Sequence, residues 1–106
     1  MKRMALLGLL LLLASPAAGQ GPAPVLIGEG QRLAHQWCAN CHAVAPGQRP
    51  PAGDAAASFP AIAALPSTTE ASLRVFLQTP HAGMPDYRLS RTEMDALVSY
   101  ILSLRR

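Results

Sequence analysis

At 106 residues the chain has room for one domain, close to the size at which an ordinary apolar core supplies only a few kcal/mol. Its net charge is +3, and the basic residues do not cluster. The single lysine is Lys2, and the arginines at 3, 32, 49, 74, 88, 91, 105 and 106 are spread along the chain, which excludes a phosphate-tracking nucleic-acid stripe.

Residues 1–19 have the form of a secretory signal: Lys2 and Arg3, an apolar core from Met4 to Ala14, Pro16, and small residues Ala17 and Gly19 at the minus-three and minus-one places. Cleavage is expected before Gln20, leaving residues 20–106 as one domain. Removing 19 of 106 residues leaves 87 and, with Lys2 and Arg3 gone, a net charge of +1. The apolar run is about half of the roughly 20 residues a membrane-spanning helix needs, so the expectation is a periplasmic protein with no membrane anchor.

After a leader over Gln20–Pro24, the spacing of Leu26, Ile27, Gly30, Leu33, Ala34 and Trp37 predicts a first helix. Gly30 interrupts that stripe at a cost of about 1 kcal/mol relative to alanine. It either opens the helix or admits close approach of another helix.

The first helix runs into Cys38-Ala39-Asn40-Cys41-His42. A Cys-x-x-Cys-His run in an exported chain is an attachment site for haem c. The two thiols reach the porphyrin's vinyl groups and form thioethers, and the adjacent imidazole sits under the iron, so His42 is the expected proximal ligand. A thioredoxin-like pair would want a preceding strand, and none is readable. A structural zinc site would want four ligands, whereas these are the only two cysteines and His35 and His81 are not at zinc spacing. A largely apolar macrocycle would also complete the small core, so the haem-free chain is expected to fold poorly.

Residues 45–58 are rich in Pro, Gly and Ala and predict a loop. Phe59, Ile62 and Leu65 around Pro60 predict a short helical turn. Ser67-Thr68-Thr69-Glu70 has capping-box form ahead of a helix carrying Leu73, Phe76 and Leu77, which ends near Thr79-Pro80. A second box, Ser90-x-x-Glu93, opens a last helix with Met94, Leu97, Val98, Ile101, Leu102 and Leu104 on one face, Tyr100 at its edge, and Arg105 and Arg106 favourably placed at its C-terminal dipole. Nothing reads as a strand.

The sixth position on the iron decides between carrying electrons and binding small molecules. Met84 lies in Pro80-His81-Ala82-Gly83-Met84-Pro85-Asp86, between two prolines and outside any helix, and is the candidate distal ligand. His81 is the competing donor. Met94 belongs to a core stripe, and His35 is a solvated residue on the first helix.

With the pentapeptide at 38–42, Gly83-Met84-Pro85 and a last helix carrying Tyr100, residues 25–104 resemble a small bacterial class I c-type cytochrome. The resemblance implies an all-α fold in which the first and last helices cross near-perpendicularly, Gly30 under the aromatic Tyr100, with short middle helices around one covalent haem. It implies haem c and iron as cofactors, held through Cys38, Cys41, His42 and Met84. It also implies redox partner proteins such as a periplasmic dehydrogenase, an oxidase or a membrane electron-transport complex, with no nucleic acid. The chain departs from the family in lacking a Gly-Pro pair whose proline carbonyl orients the ligand imidazole, for which Pro51 or Pro50 is the substitute, and in lacking a ring of docking lysines. The expected function is one-electron transfer, as a soluble carrier or a dehydrogenase's small subunit, and not an enzyme. The alternative is a haem peroxidase or gas sensor with a labile sixth ligand.

Overall fold

The computed structural model describes residues 23–51 and 56–106. The expected signal, residues 1–19, lies outside them.

Helix α1 spans Pro24–Leu33, opened by proline in its first turn. It continues without a break into a wider π turn over Ala34–Cys38, in which the Ala39 N–H reaches back five residues to the Ala34 carbonyl at 3.1 Å. Helix α2 covers Phe59–Ala64, α3 covers Glu70–Gln78 and α4 covers Arg91–Ser103. The described residues hold no strand, only a single bridge pairing His81 with Met84. The fold is all-α, as expected.

α4 is the hub, packing on α1, α2 and α3. Its Met94, Leu97, Val98 and Ile101 are buried with Leu33 and Ala34 of the first helix, Phe59, Ala63 and Leu73. Tyr100 belongs to this core rather than to its edge: it is 4% exposed, and its hydroxyl donates to the Val44 carbonyl at 2.7 Å. Gly30 is the close-approach point. A Cβ there would overlap the Ala96 carbonyl and lie 2.6 Å from the Tyr100 Cβ, so α1 and α4 meet backbone to backbone at a residue with no side chain.

The caps are as expected at one helix and displaced at another. Ser90 Oγ accepts the Glu93 N–H at 3.2 Å while Glu93 accepts the Ser90 N–H at 2.8 Å. At α3 the cap is Thr69 with Ser72, not Ser67 with Glu70. Thr68 is buried and donates to the Ile62 carbonyl at 2.6 Å, so the chain is still tied to α2 at that residue and turns helical only after the next. Arg105 does more than face the dipole of α4, since its guanidinium donates to the carbonyls of Ala63 and Thr68 and fastens the end of α4 to the α2–α3 corner.

Candidate functional site

The π turn ends on Cys38, whose carbonyl accepts the N–H of Cys41 at 3.1 Å and of His42 at 2.9 Å. One further turn therefore gathers both cysteines and His42 at the end of the first helix. The chain beyond is held from two sides. The Phe59 N–H donates to the Ala43 carbonyl at 2.8 Å, and Gln48 accepts the N–H groups of Val44 and Ala45. Together with the Tyr100 bond to Val44, these ties fasten the His42 turn to α2 and α4.

Two adjoining cavities of about 680 and 530 Å³ open here, sharing Cys38, His42, Phe76 and Met84 in their walls, within the size range of cofactor pockets. Phe59, Ile62, Leu73, Leu77, Leu97 and Ile101 line the inner one; Trp37, Cys41, His81, Pro85 and Tyr87 line the outer one. Among the described residues, no Lys, Arg, Asp or Glu side chain lines either.

Both thiols are free, Cys41 exposed and Cys38 half-buried, and burial, helped by the neighbouring Cys41, pushes the Cys38 thiol up to about 11. The His42 Nδ1 lies 2.6 Å from the carbonyl of Ala57, and its ring tilts against Phe59 at a centroid distance of 5.4 Å. With the proton on Nδ1 to make that bond, the Nε2 lone pair is left for a metal. The orienting carbonyl thus comes from Ala57, not from Pro50 or Pro51. The stretch before α2 folds back beneath the imidazole, where a backbone carbonyl of any residue type serves, so nothing in composition marks it.

Met84 is brought to the same cavity from a loop without helical structure. Gly83 takes a positive φ of 77° there, a backbone conformation in which glycine is unpenalised, and the Met84 N–H donates to the His81 carbonyl at 3.2 Å. His81 stacks on Phe76 with ring centroids 3.7 Å apart and lies 2.7 Å from the Thr79 carbonyl through its Nδ1, which braces the loop and, as at His42, leaves open the Nε2 side of a ring that also lines the outer cavity. Met94 is buried in the core and His35 is exposed, as expected.

A covalently held haem fits this cavity. Two free thiols stand at its mouth, an oriented imidazole and a thioether share its wall, and the uncharged lining suits a mostly apolar ring. Residues unmarked at the level of sequence include Ala57 and Tyr87, whose ring stacks on that of Trp37, read only as part of the first-helix stripe, with centroids 5.5 Å apart. An aromatic three residues past the loop methionine is the signal that could have found Tyr87.

The family described as cytochrome c oxidase, cbb3-type, subunit III matches residues 26–101. Cytochrome c-552 of Bradyrhizobium diazoefficiens is 40% identical over 98 residues, which cover 92% of this chain and 93% of that protein. No solved structure matches.

Proposed function

The chain belongs to the c-type cytochromes, and from that premise we propose that it is an exported one-electron carrier whose haem is held by Cys38 and Cys41 and ligated by His42 and Met84. Haem c with iron is the family's cofactor and haem-based electron transfer with redox partner proteins its chemistry. When bound, it supplies a one-electron ferric/ferrous couple.

The observation that carries the residue roles is the convergence of His42, oriented by the Ala57 carbonyl, and Met84, presented by a proline-clamped loop, on one uncharged cavity. Cys38 and Cys41 form the thioethers. The Ala57 carbonyl holds the His42 Nδ1 proton and so fixes the tautomer and ring plane of the ligand. Met84 offers soft sulfur, which favours ferrous over ferric iron. The aliphatic wall of Leu73, Leu97 and Ile101 excludes water and leaves the extra positive charge of the ferric site poorly solvated, which raises the potential further.

With His42 and Met84 both holding the iron, no position would be left open for a substrate, which favours a carrier over an enzyme. Residues 1–19 are its cleaved export signal and the periplasm its compartment. No helix among the described residues is long and apolar enough to cross a membrane. The partner is a periplasmic dehydrogenase, an oxidase or a membrane electron-transport complex, the chain serving as free carrier or small subunit. With no lysine beyond Lys2, docking depends less on charge steering than on uncharged contact around the cavity mouth.

Carbon monoxide tests the reading. The ferrous haem-loaded protein should keep its spectrum under carbon monoxide; a bound carbonyl spectrum together with peroxide turnover would identify a haem enzyme instead.

A further inference from the structure

The widened turn at the end of the first helix creates a local problem that another part of the chain solves. The N–H groups of Cys41 and His42 both bond to the Cys38 carbonyl, so the carbonyl of Trp37 is passed over, one of the orphan acceptors left at any helix end. The Tyr87 hydroxyl donates to it at 3.0 Å across fifty residues of sequence, and the Tyr87 and Trp37 rings stack with 13° between their planes. Trp37 is bonded directly to Cys38, Tyr87 lies three residues beyond Met84, and Pro85 stiffens the link between them.

From this we infer that Tyr87 is a positioning residue for the Met84 ligand: its stack and hydrogen bond to Trp37 latch the methionine loop to the haem-attachment turn and set how readily the Met84 thioether leaves the iron. The inference rests on the reading of Met84 as the distal ligand. Among the described residues the loop has few other ties: the His81 stack on Phe76, and short-range backbone bonds from Met84 to His81 and from Leu89 to Tyr87. The first precedes Met84 and the others are internal, so Tyr87 is the first residue after the thioether that fixes the loop to another element. Releasing it lengthens the free segment from Met84 to Leu89, whose side chain packs against the core.

Imidazole binding to the ferric haem-loaded protein reads this directly. The exchange breaks the bond from iron to the Met84 sulfur and forms one from iron to the imidazole nitrogen, with no change of oxidation state, and the visible spectrum follows it. Tyr87→Phe keeps the stack and loses the hydrogen bond; it should bind imidazole about three- to tenfold more tightly than the parent, in line with one net hydrogen bond. Tyr87→Ala loses both and should bind more tightly still. Arg105→Ala, which unfastens the far end of α4 from the α2–α3 corner, is the control for general destabilisation and should leave the affinity unchanged. Unchanged affinity in both Tyr87 variants, or equal tightening in the Arg105 control, overturns the latch. Met84→Ala separates the two readings. If it tightens imidazole binding while the Tyr87 variants do not, the latch alone fails; if it binds like the parent, the assignment of Met84 fails, and the latch with it.

Discussion

Gly30→Ala sets two effects of opposite sign against each other. In a helix with an open face the substitution would stabilise by about 1 kcal/mol, because alanine loses less backbone entropy than glycine. Here the new Cβ overlaps the Ala96 carbonyl and lies 2.6 Å from the Tyr100 Cβ, against about 3.4 Å for ordinary contact, so α1 and α4 must part by more than the roughly 0.8 Å that the Tyr100 contact alone demands. Overpacking of this kind costs about 1–3 kcal/mol. The displacement also pulls on the Tyr100 bond to Val44, a buried hydrogen bond contributing about 1 kcal/mol. The net expectation is a loss of about 1–3 kcal/mol after the propensity gain, a large share of the roughly 5–10 kcal/mol a domain of this size commands. In thermal melts of haem-loaded protein followed by far-ultraviolet circular dichroism, at about 4–8 °C per kcal/mol, the midpoint should fall by about 5–20 °C. A midpoint equal to or above that of the parent would refute the backbone-to-backbone crossing.

Tyr100→Phe leaves the buried Val44 carbonyl without its donor and should cost about 1–3 kcal/mol in denaturant melts. Burial also raises the Tyr100 hydroxyl's pKa, so the neutral phenol stabilises the fold fully below its unfolded value of about 10 and that contribution is lost as pH climbs through the raised one; the Phe variant should lack this part of the alkaline decline. A core this small is expected to fold poorly without the macrocycle, so in the haem-free chain Cys38 should alkylate with an apparent pKa near 8.5, that of an ordinary thiol, and not near the value of about 11 to which burial in the folded cavity pushes it. A rate still rising toward pH 11 would mean the cavity forms without haem.

The four helices of the described residues were legible because each carries a local signal: the 3.6-residue stripe of α1, the proline-led turn of α2, the Leu73, Phe76 and Leu77 spacing of α3 and the Ser90-x-x-Glu93 box of α4. The cap of α3 was misplaced by two residues because Ser67-Thr68-Thr69-Glu70 and Thr69-x-x-Ser72 overlap, and only the burial of Thr68 decides between them. The cysteine and histidine positions followed from a motif whose spacing is itself the chemistry. The Ala57 carbonyl was invisible for the opposite reason: every residue carries a carbonyl, and which one meets His42 is fixed by the path of the loop. The Tyr87 latch depends in the same way on a carbonyl left over by a π turn, which propensity does not reveal. Gly30 lay between these cases, its close approach resolved only once Ala96 and Tyr100 were seen against it.

The assignment of Met84 over His81 as the second donor is tested most directly by the near-infrared band that sulfur ligation gives ferric haem. The haem-loaded parent and His81→Ala should both show it and Met84→Ala should not; a band that survives in Met84→Ala, or vanishes in His81→Ala alone, would contradict the account.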